Sequence, residues 1–156
     1  MANESSFVLR AYRPDDCAAL VTLFRETVHA VCRRDYTQEQ LDAWAPSDID
    51  ETEWDRSFCA HRTVVAQAGA QIVGFGDIDA TGYLDRLYVH RCWQGRGVAA
   101  AICDALEQGV RAPKVTTHAS ITARPFFEHR GYRMVREQRV ERRGIWLTNY
   151  LMELDR

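Results

Sequence analysis

Between Tyr83 and Gln108 the chain changes period within a few residues. YLDRLYV (83–89) alternates apolar and polar residues as a strand does. After a short loop comes Gln94-Gly95-Arg96-Gly97-Val98-Ala99, and the segment from Gly95 to Gln108 reads as a helix, with Val98, Ile102, Ala105 and Leu106 on one face and Gly109 as the stop. Glycines at a helix start let backbone N–H groups converge, and the positive end of the helix dipole favours an anion such as a pyrophosphate. Arg96 adds a positive charge. No Gly-Lys-Ser/Thr follows, which excludes a Walker loop, and the three-glycine spacing of a dinucleotide fold is absent.

The flanking segments place this strand, turn and helix in an α/β arrangement. FVLRAY (7–12) reads as a strand and Asp15 to about Val31 as an amphipathic helix. Thr37 with Gln40 forms a capping box for a short helix through Trp44, and a third helix spans about 52–60. RTVVAQ, AQIVGFGDIDA and YLDRLYV then form an antiparallel meander. VTTHAS (115–120) is a further strand, 122–129 a short helix, and YRMVREQRVE with IWLTNYLMEL a hairpin around Arg143-Gly144.

At 156 residues, 46% hydrophobic and 27% charged, one globular domain spanning 1–156 is expected. No apolar run reaches the roughly 20 residues of a membrane span, and MANESSFVLR lacks the pattern of a signal peptide, so the expected location is cytoplasmic, away from membranes. Five scattered cysteines without a Cys-x-x-Cys pair argue for reduced thiols; the pairs His29/Cys32 and Cys59/His61 fall short of four clustered ligands, so no metal is expected. Charge is segregated: residues 1–85 carry net −8 and residues 86–156 net +6. That split suits two ligands, one cationic and one a phosphorylated anion.

Gln94-x-x-Gly97-x-Ala99 resembles the acetyl-CoA signature of the GNAT N-acetyltransferases, in the strand-loop-helix context that family uses. Downstream, Ser120-x-x-Ala123-x-x-Phe126-Phe127-x-x-x-Gly131-Tyr132 resembles the family's second motif. The resemblance implies the acyl-CoA N-acyltransferase fold, a mixed, mostly antiparallel, splayed sheet flanked by helices. It also implies acetyl-CoA as cosubstrate. Leu87, Tyr88 and Val89 would present backbone to the pantetheine arm, and the amides of Gln94, Gly95, Arg96, Gly97, Val98 and Ala99 would hold the pyrophosphate. Ser120, Ala123, Phe126 and Phe127 would complete the site, with Ser120 replacing a frequent Asn.

Acetyl transfer to an amine needs a proton acceptor, because an amine of pKa about 10.4 is only about one part in two thousand neutral at pH 7. Period-two alternation puts Tyr83, Asp85, Leu87 and Val89 on one strand face, and relatives carry their base at the positions matching Tyr83 and Asp85. Asp85 is the expected base, with Asp77, Asp79 and His118 as alternatives. The family's tyrosine acid is replaced by Phe127, so Tyr83, Tyr88, another hydroxyl or water must substitute, or the thiolate leaves unassisted. The acceptor site is expected along residues 29–46, from His29, Tyr36 and Trp44, with His118 beside them.

The acidic first half leads to a cationic small amine or a basic peptide end as acceptor. A non-catalytic acetyl-CoA-binding module is the alternative, favoured by Phe127. An acylator of charged tRNA needs a strongly basic surface, which a net charge of −2 opposes, so no nucleic-acid partner is expected. A homodimer through the C-terminal hairpin stays open.

Overall fold

In the computed structural model, which describes residues 6–156, the chain runs β1 (Val8–Ala11), α1 (Cys17–Val31), α2 (Gln38–Trp44), α3 (Glu51–Ala60), β2 (Arg62–Ala68), β3 (Gln71–Ile78), β4 (Tyr83–Val89), α4 (Val98–Gln108), β5 (Lys114–Ser120), α5 (Arg124–His129), β6 (Arg133–Arg142) and β7 (Ile145–Asp155). This is the predicted element order. The strands form one mixed sheet in the order β1-β2-β3-β4-β5-β7-β6, antiparallel everywhere except between β4 and β5. The glycine loop forms no part of the helix: α4 starts at Val98, with Gly97 as its N-cap.

Strand alternation divides the core in two. Val64 and Ala66 of β2 join Val73, Ile78 and Leu84 under α4, where Ile102 and Leu106 are fully buried. Val65 and Phe75 face the other way, against Leu20, Phe24 and Val28 of α1. Local chemistry sets the helices on this second side. The Thr37 side chain accepts from the Gln40 N–H and Gln40 answers to Thr37, the predicted capping box, while Asp50 caps α3 through the N–H groups of Thr52 and Glu53.

Five rings close a loop on that side: Phe24 to Trp54 at 4.9 Å, Trp54 to Phe58 at 5.7 Å, Phe58 to Phe75 at 5.7 Å, Phe75 to Tyr88 at 5.7 Å, and Tyr88 to Phe24 at 4.8 Å. The tilted and edge-on geometries are those aromatic quadrupoles prefer, so the cluster holds α1 and α3 rigidly on β3 and β4. It forms one wall of the cavity described below.

The close seat of α4 on the sheet depends on Gly76. A Cβ there would come within 2.9 Å of the Arg86 carbonyl oxygen and of Ile102 Cγ2, and 3.1 Å of Leu106 Cδ1. Because one of these neighbours is backbone, Gly76→Ala should destabilise the protein by about 1–3 kcal/mol. Thermal denaturation should show a melting temperature lower by about 3 °C per kcal/mol; an unchanged Tm would contradict the packing described.

Candidate active site

β4 and β5 are paired only through Tyr83 with Thr116 and Leu84 with Thr117. The Thr117 hydroxyl reinforces the last pair by donating to the Leu84 carbonyl at 2.9 Å. Beyond it the strands part, leaving a groove of about 680 Å³ between β4 and β5 that reaches the start of α4. Leu87, Tyr88, Val89, Gln94, Gly95, Gly97, Val98, Ala99, Ser120, Ala123, Phe126 and Phe127 all line it, so the two sequence motifs meet across one cleft. Thr27, Val31 and Cys32 of the α1 region add to its wall, which no motif signalled.

Gly97 sits at φ +84° and Gly95 at φ +71°, and at neither would a Cβ meet an atom within 4 Å. The backbone N–H groups opening α4 therefore border free space, as an anion site at a helix start requires. The Gln94 side chain is used within the protein, donating to the Val89 carbonyl at 2.6 Å and fastening the end of β4. Arg96 is directed elsewhere: its guanidinium lies over the Trp93 ring, 4.6 Å from the centroid, and it is absent from the groove lining. Ser120 Oγ accepts from the Ala123 N–H at 3.0 Å, closing the turn into α5. Phe127 is buried against Tyr132, with ring centroids 5.0 Å apart.

The period-two reading of β4 requires correction. Asp77 pairs with Arg86 and Ile78 with Leu84, so Asp85 is the extra residue of a β-bulge. Alternation breaks there. Leu87 and Val89 pack in the α4-side core with Leu84, whereas Tyr83 and Asp85 stand at a second cavity on the opposite side. The bulge turns the Asp85 carboxylate toward both cavities at once.

This second cavity, about 400 Å³, is lined by Tyr83, Asp85, Arg86, Tyr88, His118 and Ser120, by Phe24, Tyr36, Trp44, Glu53, Trp54 and Ser57, and by Val140, Arg142, Leu147, Thr148 and Asn149 of the C-terminal hairpin. Trp44, Asp85, Tyr88, His118 and Ser120 belong to both linings, and they mark where groove and cavity join. Both volumes are in the range of small-ligand sites.

Beneath Asp85 lies a buried ionic network. The wholly buried Asp77 carboxylate meets Arg86 at 2.8 Å and His61 Nδ1 at 2.8 Å. The Arg86 guanidinium also bonds Ser57 and lies over the Trp54 and Phe58 rings, 4.8 and 4.4 Å from their centroids. Donor atoms of His61, Asp77 and Asp85 all fall within 4.8 Å of one another, a spacing explained by this ion pairing. Burial, then the charge of Asp77, push the Asp85 carboxyl above its ordinary value, with Arg86 and His61 opposing. The Asp77 bond raises His61. Partial burial, then Arg136 and Arg142, lower His118, which favours its neutral imidazole.

Other predicted residues take definite places. Tyr83 stacks edge-on against His118 at 5.2 Å, and burial pushes its hydroxyl up to about 12. The Tyr36 hydroxyl donates to the Thr148 carbonyl at 2.6 Å and accepts from the Ile121 N–H at 2.9 Å, tying the helical segment to β7 and to the turn after β5. His29, expected in the acceptor site, is not there: its Nε2 bonds the Ala45 carbonyl at 2.9 Å in the α1–α2 crevice, because the inward face of α1 belongs to Phe24 and Val28. Asp79 is committed to the β3–β4 turn, accepting from Thr81 and Tyr83 N–H groups. Glu53, Ser57, Arg142 and Asn149 were missed. They come from α3 and the hairpin, and only three-dimensional folding brings them beside β4.

A groove in a splayed sheet thus opens beside a helix N-terminus and joins a second cavity, giving room for two ligands to meet. The profile of the acetyltransferase (GNAT) domain matches residues 32–154. The chain is 38% identical over 144 residues to an uncharacterized N-acetyltransferase, YafP, of Escherichia coli strain K12, covering 92% of this chain and 93% of that protein. Among solved structures, a GCN5-related N-acetyltransferase from Rhodopseudomonas palustris superposes with a TM-score of 0.90 at 32% identity, covering 98% of each chain. The PaiA N-acetyltransferase of Thermoplasma acidophilum, in complex with coenzyme A, has a TM-score of 0.77 at 14% identity, covering 97% of this chain and 99% of that one, and shows the shared fold. The chain belongs to the GNAT acetyltransferase family, and is an N-acetyltransferase of that type.

If the loop at 94–99 holds a pyrophosphate, Gly97→Glu should weaken coenzyme A binding by about tenfold or more, through volume and charge together. Gly97→Asn, which tolerates a left-handed backbone, should lose less. Calorimetry checks both, and equal affinity in Gly97→Glu and the parent would exclude this loop.

Proposed function

We propose that the chain transfers the acetyl group of acetyl-CoA to a primary amine that arrives as a cation, with Asp85 as the proton acceptor. The observation that carries this reading is the junction: Asp85 and His118 lie where the groove meets the cavity, at the two strands that diverge there. Coenzyme A bound to the PaiA relative supports the groove as its place. Acetyl-CoA supplies the activated acyl group.

The residues of the chain supply position and proton transfer. The unpaired edge of β4 offers backbone to the two amides of a pantetheine arm, as an added strand would receive it. Trp44 and Tyr88, their ring centroids 6.5 Å apart, pack together as one wall of the junction. Asp85 takes the proton that makes the nitrogen nucleophilic; the nitrogen then forms its bond to the acyl carbon as the bond to sulfur breaks. A raised carboxyl is a better match for an ammonium than an ordinary aspartate. His118, favoured in its neutral form and on the facing strand, can relay that proton to solvent. A thiolate leaves readily, since a thiol of pKa about 8.5 is a weak base, so Phe127 at the position of a family acid is compatible with turnover.

Asp85→Asn should lower kcat by about a hundredfold while coenzyme A affinity is kept, and His118→Gln should cost less than about tenfold. The base must be deprotonated, so kcat/KM of the parent should rise with pH through a limb above the ordinary carboxylate value near 3.9, and this limb should vanish in Asp85→Asn. A kcat within about twofold of the parent in Asp85→Asn would assign the proton elsewhere. Acetyl-CoA binding without turnover on any amine would favour the binding-module reading.

A further inference from the structure

The acceptor cavity carries two opposite charges that the protein leaves unneutralised. Arg142, the last residue of β6, is exposed at the cavity wall, where its Nη1 donates only to the adjacent Glu141 carbonyl at 2.9 Å. Among the described residues no carboxylate lies within ion-pair distance of it. Its neighbour Arg143, by contrast, is held by Asp48 at 2.7 Å, and Arg86 in the same cavity is held by Asp77. Glu53 of α3 also lines the cavity and has no cationic partner among the described residues. Both side chains also border the shallow depression beside the cavity, so they stand together at its mouth.

We infer that the acceptor is a zwitterion, an amine that also carries a carboxylate, and that Arg142 receives the carboxylate at the mouth while the amine reaches the junction. This rests on the reading of the cavity as the amine site. A purely cationic acceptor would meet Arg142 as a like charge, and a purely anionic one would meet Glu53. A zwitterion sets its carboxylate on Arg142 and its reacting amine at Asp85, and a second ammonium next to that carboxylate, as in lysine, meets Glu53. The guanidinium suits a carboxylate by its planar fork of donors, and a partly enclosed mouth strengthens the pair relative to open water. The field of Arg142 already reaches His118 at the junction, where it helps to lower the imidazole, so anion and amine sites are electrostatically linked. With Arg142 neutralised by substrate, His118 becomes easier to protonate, which aids its acceptance of a proton during transfer. The charge split of the sequence is therefore incomplete at the site: one cation of the basic half stands inside the acceptor cavity.

The test compares amines in pairs that differ by one carboxylate, lysine with cadaverine and ornithine with putrescine, in the parent, Arg142→Ala and Arg142→Lys. The parent should favour the carboxylate-bearing member by about tenfold or more in kcat/KM. Arg142→Ala should bring the ratio near one, and Arg142→Lys should restore part of it, since a point charge replaces the fork. A parent that prefers cadaverine and putrescine, or a ratio unchanged in Arg142→Ala, overturns the inference and leaves amine acetylation standing. Transfer to no amine of either pair, with coenzyme A bound, overturns amine acetylation and this inference together.

Discussion

β5 leaves its parallel neighbour after two residue pairs, and the site is the consequence of that departure. A strand edge opened inside a sheet exposes backbone donors and acceptors, each costly if buried without a partner. The fold meets this cost in two ways. β5 draws its stability from β7, to which it is bound along its whole length from Lys114 to Ser120. β4 is fixed on its other edge by β3 and at its end by Gln94. The gap is thus held open by structure on both sides, and Tyr36 fastens its far end by joining Ile121 to Thr148.

The β-bulge at Asp85 brings a carboxylate to the edge of this gap. Continued back from Leu87 and Val89, regular alternation would have set the Asp85 side chain on the α4 core, where an ionised carboxylate is untenable. The extra residue instead turns it to the junction. The same stretch buries Asp77 with Arg86 and His61, and a buried pair of this kind costs about 3–5 kcal/mol when one partner is removed. Asp77 is therefore bound in place as a fixed negative charge near Asp85. Burial first and the charge of Asp77 second raise the Asp85 carboxyl, while Arg86 and His61 pull against them.

The element order, the capping box at Thr37 and the two motifs lining the groove were legible in the sequence because each depends on local spacing. Three things were not. The bulge at Asp85 arises from register with β3, which alternation within β4 cannot reveal. His29 satisfies helical spacing on α1 for two faces, and only the packing of Phe24 and Val28 decides which one points inward. Arg142 and Asn149 enter the cavity because β7 lies between β5 and β6, a placement set by tertiary pairing between segments far apart in sequence. Arg96 shows the same limit at short range: a cation in the right motif finds the Trp93 ring instead of the groove.

A crystal structure with a non-hydrolysable acetyl-CoA analogue tests the shared junction most directly. The pyrophosphate should lie against the amides at 95–99, the pantetheine arm along β4, and the acyl carbonyl between Tyr88 and His118, within reach of Asp85 through at most one water. An analogue whose acyl end lies outside the junction of Trp44, Asp85, Tyr88, His118 and Ser120, or whose pyrophosphate lies away from the start of α4, would contradict the site as described here.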